Sequence, residues 1–245
     1  MASTTGATKE GHLQIDETLL KDGHFVRPAA QFRNFISASP DSPFPAEAGR
    51  YHLYVSYACP WAHRTLITRK LKGLEEIIPF TAVHWELKER GWPFATPETR
   101  DEALNVVPDP YHPDAKHIRD LYYEEVSDYS GRPSVPVLHD TKQKRIVSNE
   151  SSEIIRMFYH SFDHLLPDKY QKVDLLPKDL EKEIDEINDW TYNDVNNGVC
   201  ESQLHCPPAT HVDIMPSSLP LQRTTTTSTD KSHLPPLTAP SPQHS

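Results

Sequence analysis

Apolar residues first fall into a regular pattern at residue 51. In YHLYVS, Tyr51, Leu53 and Val55 alternate with other positions and share one face, which predicts a strand. After Cys59-Pro60 the period changes. WAHRTLITRKLKGL places Trp61, Leu66, Ile67, Leu71 and Leu74 near a 3.6-residue repeat, which predicts a helix with Pro60 in its first turn and Gly73 at its end. IIPFTAVHW reads as a second strand, and a β-α-β unit of this size makes the two strands parallel. Residues 85–131 form a long, irregular connection with GWPF, several prolines and one short helical candidate, HIRDLYYEEV. Connections of that length are functional or disordered, and the aromatics here argue against full disorder. VPVLHD and RIVS then predict a hairpin around DTKQKR. SNESSEIIRMF opens a helix, with Ser148 or Asn149 as its cap and Ile154, Ile155 and Phe158 as its buried stripe. The order β-α-β, insertion, β-β-α is the thioredoxin-like α/β arrangement.

The flanks differ in character. Residues 1–49 read as a polar extension with a few anchors, Phe25, Phe32, Phe35 and Ile36. LLPDKYQKVDLLP reads as a linker. DLEKEIDEINDWTYNDVNNGV then carries Leu180, Ile184, Ile187, Thr191, Val195 and Val199 at helical spacing, with its charges on a solvated face. It predicts the first helix of an all-α second domain. From Cys200 the chain turns to Pro, Ser and Thr with no period, which predicts disorder because too little apolar surface is on hand to offset ordering entropy. The expected organisation is an extension over 1–49 and a thioredoxin-like domain over 50–162 with its insertion at 85–131. A linker and the start of an incomplete helical domain follow over 163–199, and a disordered tail over 200–245.

Composition supports that division. Proline (23) far outnumbers glycine (8) and only 36% of residues are apolar, so part of the chain adds no core. A net charge of −10 argues against nucleic acid as a partner. No apolar run reaches the roughly 18–20 residues of a membrane span, and the first twenty residues hold no secretory apolar region. The three cysteines, Cys59, Cys200 and Cys206, are an odd number without a disulfide framework, so a reduced, cytoplasmic protein is expected. Cys200, His205, Cys206 and His211 fit no compact zinc site, and no metal is expected.

Cys59 is the strongest chemical candidate. A thiol at a helix start sits beside free backbone N–H groups and the positive end of the dipole, and both favour thiolate over thiol. His63 and Arg64 add positive charge if they face inward. The competing reading is a buried, inert cysteine. Ala62 stands where a redox pair would place its second cysteine, so no neighbouring thiol can resolve a mixed disulfide. The resolving thiol then comes from outside, with glutathione as the natural candidate. Val135-Pro136 precedes the third strand. A cis proline there would expose the preceding backbone to pair with a peptide-like ligand, whereas an ordinary edge-strand proline would not. Glu150-Ser151 opens the next helix, where N–H groups and a hydroxyl suit a carboxylate and Glu150 suits an ammonium; simple helix capping is the alternative. Trp92 in GWPF would either cover a ligand or anchor the insertion.

YHLYVSYACPWAHRTLITRKLKGLE, GWPF, IRDLY, GRPSVPVLHD and IVSNESSEIIRMF together resemble the glutathionyl-hydroquinone reductases, the Xi class of glutathione transferases, related to the omega class. GHFVRPAAQFRNFI is similar to that family's N-terminal extension, and the likeness spans roughly residues 20–199. The resemblance implies a thioredoxin-like domain, an all-α glutathione transferase C-terminal domain, and a homodimer. It implies glutathione-dependent reduction of glutathionyl-hydroquinones, with Cys59 as nucleophile and Trp92, Arg132, Pro133, Ser134, Val135, Glu150 and Ser151 contacting glutathione. Pro133-Ser134 replaces the threonine usual before VPVL. The likeness stops at NNGVC, where Cys200 stands in place of a tyrosine assigned to proton transfer. The expectation is an enzyme impaired by the missing remainder of the helical domain, with an apolar patch left exposed. The alternatives are a non-catalytic glutathione-binding product and a glutaredoxin-type thioltransferase or dehydroascorbate reductase.

Overall fold

A computed structural model describes residues 20–21, 24–88 and 90–199, apart from the side chains of the first four. The expectations for Phe25, for the 200–245 tail and for Cys200, His205, Cys206 and His211 lie outside what it describes.

A four-stranded mixed sheet forms the centre. Its elements are β1 (Tyr51–Val55), α1 (Pro60–Leu71), β2 (Phe80–Ala82), α2 (Ile118–Glu125), β3 (Val137–Asp140), β4 (Arg145–Ser148) and α3 (Ser151–His160). The sheet order is β2-β1-β3-β4. β1 and β2 are parallel, as the crossover through α1 requires, with Leu53 opposite Phe80. β3 runs antiparallel to β1, with Leu53 opposite Leu138, and β4 returns along β3. The thioredoxin-like arrangement therefore stands.

The alternation in β1 predicted one buried face, but all five of its residues are buried. The insertion is the reason. Ala82 N–H donates to Asn105 C=O at 2.8 Å, and Phe94, Val106, Ile118, Leu121 and Tyr122 are all buried. The insertion and α2 thus roof the face that carries His52 and Tyr54. The N-terminal segment also docks. Asn149 N–H donates to Phe32 C=O and Asn34 N–H to Val147 C=O, so residues 32–34 lie along the free edge of β4. Ile36 is buried and Phe32 half-buried as expected, but Phe35 is exposed.

α1 departs from the predicted stripe. Its buried face is Ala62, Thr65, Thr68 and Arg69, while Ile67 and Leu71 are exposed. Thr65, Arg69 and Lys72 are tolerated inside because each finds a partner. Thr65 Oγ1 bonds Ala62 C=O, and Arg69 bonds the carbonyls of Ile78 and Glu75. Fully buried Lys72 meets Asp163 at 2.8 Å and the carbonyls of Tyr170 and Val173. That contact ties the helix to the chain beyond α3. α3 is likewise shifted. Its buried face is Ser151, Ile154, Met157 and Phe158, with Ile155 only half-buried, and its cap is Glu150 rather than Ser148 or Asn149.

The end of α1 follows from Gly73. Leu74 N–H reaches Arg69 C=O and Gly73 N–H reaches Lys70 C=O, the paired bonds of a Schellman turn. Gly73 has φ +65°, and a Cβ there would meet the Tyr170 ring at 2.4 Å. Gly73→Ala is therefore expected to cost about 2 kcal/mol or more, from left-handed strain plus displacement of Tyr170. A urea midpoint unchanged from wild type would contradict this.

Beyond α3, a short helix α4 (Asp168–Gln171) leads to α5 (Glu181–Trp190), which runs on through a wider turn over Thr191–Asn197. Arg156 of α3 pairs with Asp185 and, at 3.6 Å, with Glu181. The helix is present as predicted, but its apolar stripe is not buried: Leu180, Ile187, Val195 and Val199 are exposed, as is Trp190.

Candidate active site

Cys59 is the N-cap of α1, with extended backbone (φ −105°, ψ 110°) and no side-chain capping bond. Proline at the next position has no N–H to lose there and is preset for the helix. The thiol is half-buried. Its Sγ lies 3.5 Å from Val135 C=O, the carbonyl of the Val135-Pro136 peptide, which is cis as predicted. Among the described residues no hydrogen-bond partner meets the Val135 N–H. Ala62 is fully buried, so it is a packing residue one turn below the thiol.

The two flanking basic residues separate. His63 is exposed. Arg64 turns inward, where Nε and a terminal nitrogen donate to Ser151 Oγ at 3.0 and 2.6 Å. Glu150 lies 3.7 Å from the same guanidinium, and Trp61 stacks under it at 4.8 Å. Burial pulls the Arg64 pKa below the usual guanidinium range, while the charges of Glu150 and Cys59 oppose that pull. Glu150 Oε1 accepts from Ser152 N–H and Ser152 Oγ. Ser151 Oγ accepts both Arg64 bonds and keeps its own proton to donate. The start of α3 thus combines a cation, a hydroxyl and a helix terminus, a set that suits a carboxylate.

The predicted residues meet unequally. Cys59, Val135, Glu150 and Ser151 come together around the starts of α1 and α3. Ser134 sits behind Val135, both its backbone groups bonded to the Tyr122 hydroxyl. Pro133 is half-buried and Arg132 exposed. Trp92 packs half-buried on the core, its carbonyl accepting from Ile118 N–H. Among the described residues it makes no hydrogen bond to Cys59, Val135 or Glu150. Arg64 is the residue that sequence reasoning underused. The sequence offered only its nearness to Cys59, and nothing local pointed to Ser151 as its partner. Trp61, on the apolar repeat of α1, stands half-exposed between Arg64, Arg27 and the Tyr192 ring. Among the described residues no cluster of His, Cys, Asp or Glu could hold a metal ion, and no helix is long and apolar enough to cross a membrane.

Residues 58–161 match the glutathione S-transferase N-terminal domain. The chain is 48% identical over 180 residues to glutathione S-transferase omega-like 2 of Schizosaccharomyces pombe, covering 73% of this chain and 55% of that one. It is 45% identical over 190 residues to the glutathionyl-hydroquinone reductase YqjG of Escherichia coli, covering 75% and 55%. The glutathione-bound structure of YqjG superposes with a TM-score of 0.63 at 43% identity, over 78% of this chain and 59% of that one. The Xi glutathione S-transferase of Phanerochaete chrysosporium superposes with a TM-score of 0.68 at 51% identity, over 77% and 58%. The chain thus spans little more than half the length of these relatives.

Proposed function

Since the chain belongs to the glutathione S-transferase family, on its Xi-class, omega-like branch, we propose that it reduces glutathionyl-hydroquinones by monothiol transfer. The observation that carries this reading is Cys59 at the start of α1, 3.5 Å from Val135 C=O, with alanine at position 62. Its relative YqjG is a glutathionyl-hydroquinone reductase, which supports the substrate class.

Glutathione is the co-substrate in this reading. Its backbone would lie along Val135, with its γ-glutamyl end at Glu150, Ser151 and Arg64 and its sulfur toward Cys59. Arg132, Pro133 and Ser134 would frame the cysteinyl side, and Trp92 the far side. The Cys59 thiolate attacks the sulfur of the conjugate. A Cys59–glutathione disulfide forms, the sulfur–carbon bond breaks, and the carbon keeps the electron pair and takes a proton, releasing the hydroquinone. A second glutathione thiolate then attacks the glutathione sulfur of the mixed disulfide. Glutathione disulfide leaves and the Cys59 thiolate returns. A free thiol of this kind suits a reducing compartment such as the cytoplasm.

The exposed apolar stripe on α5 supports a second reading, that this chain binds glutathione without turning over an aromatic conjugate. Steady-state assays separate the readings. With excess glutathione, the protein is expected to release hydroquinone from a glutathionyl-hydroquinone faster than it reduces dehydroascorbate or a glutathionylated peptide. Glutathione binding with no turnover would establish the second reading. Preference for either of the other substrates would move the protein to glutaredoxin-type or dehydroascorbate reductase chemistry.

A further inference from the structure

The Tyr122 hydroxyl is the point at which the two halves of the candidate glutathione site are joined. Tyr122 lies on α2 with no exposed surface, outside the site itself. Its hydroxyl donates to Ser134 C=O at 2.8 Å and accepts from Ser134 N–H at 3.2 Å. It also accepts from Asn149 Nδ2 at 3.2 Å. Ser134 immediately precedes Val135, and Asn149 immediately precedes Glu150. One oxygen therefore holds the residue just upstream of each segment, using its one proton and two lone pairs.

The surroundings leave that oxygen little freedom. The Tyr122 ring packs on Phe32 at 5.7 Å and Tyr129 at 4.9 Å. Asn149 is fixed from its other side, because its Oδ1 accepts from Phe32 N–H and its own N–H donates to Phe32 C=O. Burial, eased by the Ser134 and Asn149 bonds, pushes the phenol up to about 12, so the proton it gives to Ser134 is present throughout the working range.

We propose that Tyr122 is a positioning residue for glutathione, setting the distance between the Val135 edge and the Glu150-Ser151 helix start through Ser134 and Asn149. This rests on the glutathione reading of the site. A ligand that must pair with Val135 and reach α3 at once is sensitive to that distance, whereas attack by Cys59 on an already bound sulfur is not. Removing the hydroxyl should thus weaken glutathione binding and leave the bound-state chemistry nearly intact.

The test compares wild type, Tyr122→Phe and Leu121→Ala by calorimetric titration with reduced glutathione, steady-state kinetics on a glutathionyl-hydroquinone, and thermal unfolding. Tyr122→Phe keeps the ring packing and is expected to raise the glutathione Kd and KM about tenfold, with kcat within about twofold. Leu121→Ala empties a buried position on the same helix that touches neither Ser134 nor Asn149 by hydrogen bond. It is expected to lower the unfolding temperature at least as much, with glutathione Kd unchanged. Equal Kd for wild type and Tyr122→Phe would overturn the proposal alone. So would a Kd that rises in both variants in step with lost stability. Failure of the wild type to bind glutathione would overturn it together with the reading it rests on.

Discussion

Cys59→Ser is expected to reduce hydroquinone release by at least about 10³-fold while leaving the protein as stable as wild type or slightly more so. The two halves of that expectation have separate causes. Serine keeps the shape of the side chain, but its hydroxyl stays protonated and cannot form a disulfide with the glutathione sulfur, so the covalent step is lost. Stability should not fall. Cys59 is an N-cap without a capping bond, its sulfur makes one long contact to Val135 C=O, and it is only half-buried. Serine caps a helix well, and its oxygen can accept from an N–H of the first turn, which is worth up to about 1 kcal/mol. A better cap is thus forgone at this position, as expected where the sulfur is kept for reactivity. Equal rates for variant and wild type would remove Cys59 from the mechanism. A parallel loss of rate and unfolding temperature would make it a structural residue.

The largest stability effect expected is a loss on mild acidification, and it arises under the insertion. His52 and His139 face each other across β1 and β3, both 3% exposed. Burial pulls each to a pKa of about 4, and neighbouring histidines pull in the same direction. Their Nδ1 atoms have no hydrogen-bond partner among the described residues. Both are therefore neutral in the fold, whereas the unfolded chain protonates near the ordinary histidine value of about 6.5. A depressed histidine pKa means that the unfolded state binds more protons between those limits. The stability is fully present above about pH 6.5 and falls as pH drops toward 4, by up to about 1.4 kcal/mol per unit for each histidine.

His112 opposes them in a different window. Burial lowers its pKa, but the Asp109 bond at 2.8 Å and charge outweigh that and raise it overall. Its stabilisation is full below the ordinary value and is lost as pH rises through the raised one. Asp109 is held low despite burial by His112 and Tyr111 N–H, so its contribution is lost only in stronger acid. Urea unfolding should show a maximum near neutrality and a loss of about 3 kcal/mol between pH 6.5 and 5. The double variant His52→Gln/His139→Gln should flatten that limb. A wild-type curve level from pH 7 to 5 would contradict the account.

What the sequence disclosed depended on how locally each feature is determined. The strand–Cys–Pro–helix passage, the Gly73 stop, the hairpin and the Glu150-Ser151 helix start all rest on neighbours within one turn, and all were legible. The side chains facing the insertion were not. His52 and Tyr54 read as the outer face of β1 because the residues that cover them lie 40 to 70 positions downstream. Arg69 and Lys72 stand outside the apolar repeat of α1. They are buried because carbonyls of Ile78 and Glu75, and of Tyr170 and Val173, happen to converge on them. Ile67 and Leu71 fall on the apolar repeat yet are exposed, since periodicity reports an apolar side without saying what meets it. At the site, Cys59 and Ser151 each carry a local signature. The Arg64 bond to Ser151 spans 87 residues and has none.

The central claim is that Cys59 itself accepts the glutathionyl group, and rapid quenching of a single turnover tests it most directly. Protein is mixed with a glutathionyl-hydroquinone without free glutathione, acid-quenched, digested and weighed by mass spectrometry. One glutathionyl group is expected on the peptide containing Cys59, in step with hydroquinone release, and added glutathione should remove it. Hydroquinone released with Cys59 unmodified, or with the glutathionyl group on Cys200 or Cys206 instead, would contradict the account.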